Sequence, residues 1–134
     1  MKVILKFEEI SDRIRKFKFP DVDIIIGISE GGIVPSCLIA YHLKLPLKLI
    51  GINFRDEKNN PKFDSPKLIS EFTPVNNIKR ILLVDDVSVS GKTIELARSF
   101  LQNYHVDTLV FKGKADYVLF PEVDKCVKWP WKIY

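Results

Sequence analysis

Two uninterrupted apolar runs limit what this chain can fold into. The stretches "VDIIIGIS" (22–29) and "RILLV" (80–84) show no alternation of apolar and polar residues. A strand has this composition when both of its faces are buried, as in a parallel sheet covered by helices on both sides. The runs therefore predict a mainly parallel central sheet.

Segments with helical periodicity alternate with strand-like segments along the chain. Helices are predicted at 8–19, 33–43 and 93–104. Further strands are predicted at 3–7, 45–54, 107–112 and 116–120. This alternation is typical of an α/β fold with right-handed crossovers. A length of 134 residues with 46% hydrophobic content suits a single domain over 1–134.

The composition argues against several classes of protein. No apolar stretch approaches the roughly 20 residues that cross a bilayer, and "MKVILKFEEI" becomes charged too early for a signal peptide. A cytoplasmic protein without membrane contact is expected. Cys37 and Cys126 lack a CxxC or His-rich partner, so neither a zinc site nor a disulfide framework is indicated.

The net charge of +4 is spread along the chain without a block of five basic residues. This balance suits an anionic small molecule, weak nucleic-acid contact or a plain solvated surface, and composition alone does not separate them. Nucleic acid is not the expected partner. The polar, proline-containing stretch 55–67 is expected to be a mobile surface loop of the kind that often covers an active site.

The stretch "SVSGKT" (88–93) is expected to open a helix after the second apolar run. Backbone N–H groups at a helix start are unsatisfied and favour an anion, and Gly91 allows a phosphate to approach closely. Hydroxyls of Ser88, Ser90 and Thr93 add donors. The stretch is not a P-loop, because that motif needs a glycine at position 86.

Two adjacent carboxylates, Asp85 and Asp86, precede this loop. Paired carboxylates accept hydrogen bonds from vicinal sugar hydroxyls or approach a magnesium ion. Alternatively, one caps a turn and the other is solvated. A phosphate site beside a diol site favours ribose 5-phosphate as the ligand.

The turn "SEGG" (29–32) ends the first apolar run. Its glycines allow backbone amides to converge on a second anion, although an ordinary tight turn explains them equally well. Ligands of open parallel sheets bind beyond the carboxyl ends of the strands. Both loops are therefore expected to face one crevice.

These motifs resemble those of a known family. "ILLVDDVSVSGKT" resembles the phosphoribosyl-pyrophosphate motif of the type I phosphoribosyltransferases, and "GISEGG" resembles their pyrophosphate loop. The resemblance extends over nearly the whole chain, to "KADYVLFPEVDKCVKWPWK", and is closest to the 6-oxopurine (xanthine/guanine/hypoxanthine) branch. It implies an α/β domain with a short C-terminal hood.

The resemblance implies a role for each motif position. Asp85 and Asp86 would bind the ribose 2- and 3-hydroxyls. The 5-phosphate would be bound by Ser88, Val89, Ser90, Gly91, Lys92 and Thr93. The pyrophosphate would be bound by Ser29, Glu30, Gly31 and Gly32, with a cis peptide after Ser29. The base would be bound by Lys112 or Lys114 at a purine 6-oxo group, and by Cys126 and Val127.

The implied activity is transfer of the phosphoribosyl group from phosphoribosyl pyrophosphate to a purine base in nucleotide salvage, with release of pyrophosphate. Mg²⁺ would be held mainly through the substrate, with no protein ligand assigned to it. A homodimer is implied, because members of this family usually form one. Such a reaction needs positioning and charge compensation more than a protein nucleophile. His42 and His105 are accordingly expected to be structural.

Four positions depart from the 6-oxopurine pattern. Val89 replaces an aspartate near the purine N7, and Cys126 replaces an aromatic stacking residue. Lys132 and Glu30 reverse the usual charges at the magnesium side and in the pyrophosphate loop. These departures leave a second reading open, a diverged regulator that binds nucleotide at a retained ribose-phosphate site. Trp129 and Trp131 would either pack in the core or an interface, or cover the base.

Overall fold

A computed structural model describes residues 2–53, 67–70 and 77–133 of the chain. The strands are β1 (Val3–Ile4), β2 (Ile24–Ser29), β3 (Leu47–Asn53), β4 (Lys67–Ser70), β5 (Arg80–Ser88), β6 (His105–Gly113), β7 (Tyr117–Val118) and β8 (Val127–Lys128). The helices are α1 (Phe7–Lys16), α2 (Ile33–Leu43) and α3 (Lys92–Ser99).

Six strands form the central sheet, in the order β4-β3-β2-β5-β6-β7. The five strands from β3 to β7 in this order pair in parallel, and β4 pairs antiparallel with β3 at the edge. This arrangement confirms the predicted α/β class with a mainly parallel sheet. The predicted loop 55–67 lies outside the described residues except for its last residue, so its role as a cover stays a prediction.

The two apolar runs occupy the middle of the sheet, as predicted. Ile26 pairs with Leu83, and successive residues of each strand point to opposite faces. Ile25 belongs to one apolar cluster and Ile24 to a second, so both faces of β2 are buried. Burial on both faces explains why these strands carry no polar alternation.

Two helices are shorter than the sequence predicted. α1 ends at Lys16, because Phe17 is extended (φ −76°, ψ 139°) and its ring packs 4.9 Å from that of Phe19. α3 ends at Ser99, where the N–H of Phe100 bonds the carbonyl of Ala97 in a tighter final turn. The predicted bounds of α2 are confirmed.

Strand β5 is longer than predicted, and this changes the position of the two carboxylates. Pairing with β6 continues to Ser88 opposite Gly113, so Asp85 and Asp86 lie within the strand instead of after it. The last residues of a paired strand are held in place by the hydrogen bonds that join the strand to its neighbour. The carboxylates are therefore fixed to the sheet and do not belong to a loop.

The C-terminal segment packs back on the sheet. Trp129 is buried and stacks on Trp131, with ring centroids 5.1 Å apart and an angle of 11° between the rings. Both indoles contact the edge of Phe111 in β6. The predicted strand 3–7 is only two residues long, and it pairs with β8 outside the central sheet. Among the described residues, no helix has the length and apolar character needed to span a membrane.

Candidate functional site

The carboxyl ends of β2 and β5 lie side by side in the sheet. Gly27 pairs with Val84, so the turn that follows Ser29 and the carboxylates that follow Val84 share one edge. A Cβ atom built on Gly31 would lie 2.5 Å from Oδ1 of Asp86, a separation that real side chains do not tolerate. The glycine turn and the carboxylate are thus in direct contact at this edge of the sheet.

The turn 29–32 ends at Gly32, where the surrounding backbone leaves no room for a side chain. The Ser29–Glu30 peptide is cis. A Cβ atom on Gly32 would lie 2.6 Å from the carbonyl oxygens of Ile28 and of Val84. Gly32 donates its N–H to Ile28 at 2.7 Å, which closes the turn against the strand end. The turn is therefore held by two strands at once.

Asp85 and Asp86 are both buried, with 7% and 8% of their surface exposed. The Asp85 carboxylate accepts the N–H of Asp86 at 2.8 Å, and the Asp86 carboxylate accepts the N–H of Val87 at 2.7 Å. Burial, and then the neighbouring charge of Asp86, raise the pKa of Asp85 well above its usual range. The pair therefore favours one negative charge over two.

Lys132 completes the surroundings of this pair. Its Nζ lies 3.2 Å from Oδ2 of Asp86, and the side chains are 45% and 12% exposed respectively. The sequence marked Lys132 only as a departure from the family pattern. No local pattern predicts its contact with Asp86, because the contact depends on how the C-terminal segment folds back.

The loop between β5 and α3 has the geometry expected of an anion site. Gly91 is left-handed (φ 82°), and no atom lies within 4 Å of the position that its Cβ would take. Lys92 donates its N–H to the Ser90 hydroxyl at 3.3 Å, and Glu95 donates its N–H to the Gly91 carbonyl at 2.9 Å. The open space beside Gly91 adjoins the first turn of α3, where the helix dipole is positive.

A cavity of about 290 Å³ adjoins this loop at the ends of β5 and β6. Its lining residues are Ser88, Val89, Lys112, Gly113, Lys114, Val118, Phe120, Pro121, Val123 and Asp124. The cavity thus includes both lysines that the sequence assigned to the base, next to the start of the phosphate loop.

Gly113 joins this cavity to the phosphate loop. A Cβ atom on Gly113 would meet the carbonyl oxygen of Ser88, and its φ of 113° disfavours other residues. Lys114 donates its N–H to that same carbonyl at 2.9 Å. The close approach holds the two lysine-bearing positions against the loop.

Two residues predicted to contact the base lie outside this cavity. Cys126 is exposed, and its carbonyl accepts the N–H of Val3 at 2.7 Å. Val127 is buried in β8 opposite Val3. Neither residue lines the cavity with Lys112 and Lys114. Their roles in base contact stay predictions.

The sequence reasoning did not identify Phe120, Pro121, Val123 and Asp124 as cavity residues. A signal was present, since "FPEVD" follows a strand and thus begins at the ligand-binding edge of a parallel sheet. The histidines lie away from these residues. His42 packs against Phe19, and His105 lies 3.5 Å from Asp107 at the start of β6.

The site combines two turns that the sequence predicted to bind anions with the carboxylate pair Asp85 and Asp86. Such an arrangement suits a ligand that carries phosphate groups at both ends of a diol. The described residues include no group of three histidine, cysteine or acidic side chains that could hold a metal. Mg²⁺ often binds through one or two carboxylates together with substrate phosphates, and Asp86, beside the two turns, fits that mode.

Known proteins share both the sequence pattern and the fold. The chain is 35% identical to the orotate phosphoribosyltransferase of Saccharolobus solfataricus over 91 residues, 68% of this chain and 42% of that enzyme. It is 25% identical to the xanthine-guanine phosphoribosyltransferase of Cereibacter sphaeroides over 116 residues, 80% of this chain and 67% of that enzyme. The chain thus spans less than half the length of the first relative.

The purine phosphoribosyltransferase of Pyrococcus horikoshii has a similar structure. Its TM-score is 0.76 at 24% identity, with 99% of this chain and 95% of that chain covered. Residues 3–132 match the family described as phosphoribosyl transferase domain. Since this match includes every element of the sheet and both turns beside the carboxylate pair, the chain belongs to the phosphoribosyl transferase family, of type I, as the resemblance implied.

Proposed function

We propose that this protein transfers the 5-phosphoribosyl group of phosphoribosyl pyrophosphate to a purine base and releases pyrophosphate. The observation that carries the proposal is the contact between Gly31 and the Asp86 carboxylate. This contact places a turn suited to pyrophosphate next to a carboxylate suited to the ribose diol. The reacting anomeric carbon of the substrate would lie beside this contact, within reach of both groups.

The ribose 5-phosphate would bind at the loop from Ser88 to Thr93, beside α3. Gly91 leaves the space for the phosphate, and the first N–H groups of α3 favour its charge. Asp86 would accept hydrogen bonds from the ribose hydroxyls. Burial raises the pKa of Asp85, which disfavours a second negative charge beside Asp86 as the anion arrives.

The base would enter the cavity that adjoins this loop. Lys112 and Lys114 outnumber the acidic Asp124 in its lining, which suits a ring with oxo acceptors. Cys126 and Val127, which the resemblance assigned to the base, lie outside this cavity, so their contact with the ring stays a prediction. Val89, 69% exposed, offers no acceptor for a ring N–H.

The chemistry depends on positioning. A base nitrogen forms the new bond to the anomeric carbon as the bond to pyrophosphate breaks, and the base proton leaves to solvent. Mg²⁺, when bound to the substrate phosphates, would neutralise charge on the leaving group. The residues of this chain would orient the sugar and exclude water from the anomeric carbon.

A pyrimidine carboxylate is the second candidate for the base. The 35% identity to an orotate phosphoribosyltransferase supports it, together with the two lysines of the cavity. Orotate is a carboxylate-bearing ring, and a cavity with excess positive charge suits it as well as it suits a 6-oxopurine. The base panel in the assay below separates the two.

The proposal includes a cytoplasmic homodimer. A groove of about 670 Å³ between α1 and α2 supports it, with the apolar residues Leu38, Tyr41 and Leu45 in its lining. Tyr41 is 87% exposed on a helix that also buries its other face. A helix that is apolar on all sides normally lies between two packed surfaces.

The proposal is tested by measuring pyrophosphate release with phosphoribosyl pyrophosphate, Mg²⁺ and each of adenine, hypoxanthine, guanine, xanthine and orotate. Release is expected with at least one purine. The Asp86→Asn variant should lower kcat/KM by about 100-fold, since a charged hydrogen-bond acceptor at the diol contributes about 2 to 3 kcal/mol. The Asp12→Asn variant removes an exposed carboxylate of α1 and should leave turnover unchanged.

Three outcomes would redirect the proposal. Release with orotate alone would assign the second candidate. No release with any base, together with tight nucleotide binding, would assign the regulator that the sequence left open. Wild-type turnover in Asp86→Asn would contradict the assigned site.

A further inference from the structure

The cavity at the ends of β5 and β6 has polar side chains of two kinds in its lining. Lys112 and Lys114 carry N–H donors, and Asp124 is the one lining residue in the described part of the chain that carries a carboxylate. Val89, which also lines the cavity, has no side-chain acceptor. The volume of about 290 Å³ lies near the lower end of the range typical of small-molecule sites, so it suits a single base.

The two lysines lie on the side of the cavity that faces the phosphate loop. Lys112 pairs with Val87 in the sheet, one residue before that loop begins at Ser88. Lys114 donates its N–H to the Ser88 carbonyl at 2.9 Å. The backbone of both lysines is therefore fixed to β5, and their side chains would donate to an oxo oxygen of a bound base.

The segment after β7 brings Asp124 to the same cavity. Phe120 donates its N–H to the Phe111 carbonyl at 2.9 Å, and Val123 donates its N–H to the Phe120 carbonyl at 3.1 Å. The first of these hydrogen bonds ties the segment to β6, and the second closes a turn directly before Asp124. The carboxylate is thus carried by backbone that is anchored beside the cavity.

The two acidic side chains of this segment have different surroundings. Glu122 pairs with Arg13, with 2.6 Å between Oε2 and Nη2, and it does not line the cavity. Asp124 does line the cavity, and within the described part of the chain no hydrogen bond or ion pair engages its carboxylate. Both oxygens of Asp124 are therefore available to a ligand.

One edge of guanine complements a lysine beside a carboxylate. The 6-oxo oxygen, the N1–H and the 2-amino group follow one another along this edge, as one acceptor and then two donors. A lysine donates to the oxo oxygen, and the two oxygens of a carboxylate accept from the two donors. Xanthine has an oxo oxygen in place of the 2-amino group, so a carboxylate at this point would face an acceptor and leave it unpaired.

We propose that Asp124 selects the base, because its carboxylate accepts the N1–H and a 2-amino N–H of guanine while a lysine of the cavity donates to the 6-oxo oxygen. The proposal rests on the function proposed above and adds a specificity residue to it. Hypoxanthine retains the N1–H and loses one hydrogen bond. Xanthine and orotate each place an oxygen against the carboxylate.

The Asp124→Asn variant tests this assignment, because it exchanges one acceptor oxygen for an NH₂ donor at almost constant shape. The amide then complements the N1–H and the 2-oxo oxygen of xanthine, so the variant should exchange one preference for the other. The wild type and the variant are compared by kcat/KM for adenine, hypoxanthine, guanine, xanthine and orotate, with phosphoribosyl pyrophosphate and Mg²⁺. Isothermal titration calorimetry with guanosine and xanthosine 5′-monophosphate measures the same preference without turnover.

Glu122→Gln is the matched control. It removes a carboxylate of the same segment that does not line the cavity. The ratio of kcat/KM for two bases does not depend on the fraction of folded enzyme, so a small loss of stability in either variant leaves the comparison intact.

The wild type should use guanine in preference to every other base of the panel. Asp124→Asn should lower the ratio of kcat/KM for guanine to that for xanthine by about 100-fold, through a loss with guanine and a gain with xanthine. The ratio of the two nucleotide affinities should shift in the same direction. Glu122→Gln should keep both wild-type ratios.

Several results would overturn the inference and leave the proposed function in place. These are turnover by the wild type with a preference for a base other than guanine, an unchanged ratio in Asp124→Asn, and an equal shift in Glu122→Gln. If no base is turned over but nucleotides bind, the ratio of nucleotide affinities decides in the same way. Wild-type protein that neither turns over a base nor binds a nucleotide would remove the proposed function together with this inference.

Discussion

Asp85 and Asp86 are chemically identical neighbours that the fold places in different surroundings. Asp85 is enclosed and has the raised pKa, whereas Asp86 contacts the glycine turn and Lys132. Only Asp86 has both the turn and the lysine as recorded neighbours. This difference depends on the fold, which the adjacency of two letters in a sequence does not reveal.

The raised pKa of Asp85 predicts how stability depends on pH. Between its ordinary value of 3.8 and the raised pKa, the folded protein binds more protons than the unfolded chain. The free energy of unfolding should therefore fall as pH rises through this window, by up to about 1.4 kcal/mol per unit. Asp85→Asn should flatten this dependence in urea denaturation measured from pH 4 to 9.

Asp12→Asn is the control for this measurement. Lys16 lowers the pKa of Asp12, so that carboxyl contributes stability above its ordinary value of 3.8 and loses it only as pH falls. The control should keep the wild-type slope between pH 4 and 9. An unchanged slope in Asp85→Asn would show that Asp85 is not the group that titrates.

At the scale of the elements, packing determines what the C-terminal segment contributes. Phe111 in β6 contacts both tryptophans and Phe120, which lines the cavity of about 290 Å³. Arg13 of α1 adds a second link, since it pairs with Glu122 and lies 4.4 Å above the Phe120 ring. The C-terminal segment thus packs into the core, and its role as a hood over the base stays a prediction.

Removal of the Phe111 ring should destabilise the whole protein. Phe111→Ala empties a fully buried position and should cost about 3 to 5 kcal/mol of unfolding free energy. Phe100→Ala, at a position that is 48% exposed, should cost less than about 1 kcal/mol. Urea denaturation followed by tryptophan fluorescence measures both, and similar losses would contradict the central place of Phe111.

The sequence predicted the elements whose signal is local and strong. The buried strands β2 and β5, the helix α2 and the glycine turn were all identified from runs, periodicity and turn residues. The ends of α1 and α3 were not, because Phe17 and Phe100 leave the helix for packing and turn contacts that no helical period encodes. The same limit explains why the contact of Lys132 with Asp86 was missed.

At the scale of the whole molecule, one sheet lies between two apolar clusters and carries the candidate site at the carboxyl ends of its strands. Both clusters take residues from strands β2, β5 and β6. Because the same strands carry both clusters, we expect the two clusters to form together. The fold could be predicted from sequence because alternation of strands and helices leaves few parallel topologies. The homodimer that the resemblance implied stays a prediction, since an exposed apolar helix face has the same composition as a buried one.

Tyr41 offers a test of the proposed dimer. Tyr41→Glu places a charge in the middle of the apolar face of α2 and should convert a dimer to a monomer in size-exclusion chromatography with light scattering. Phe100→Glu changes another exposed aromatic residue, directly after α3, and should leave the molar mass unchanged. A monomeric wild type would show that α2 is not a contact between copies.

The pairing of β1 with β8 has a consequence for how the protein is made. Val3 finds its partner only at Val127, so β1 stays unpaired until residue 127 has left the ribosome. Lys132 follows within the same stretch of translation. The contact of its ammonium group with Asp86 therefore forms only after all six strands of the central sheet have been synthesised.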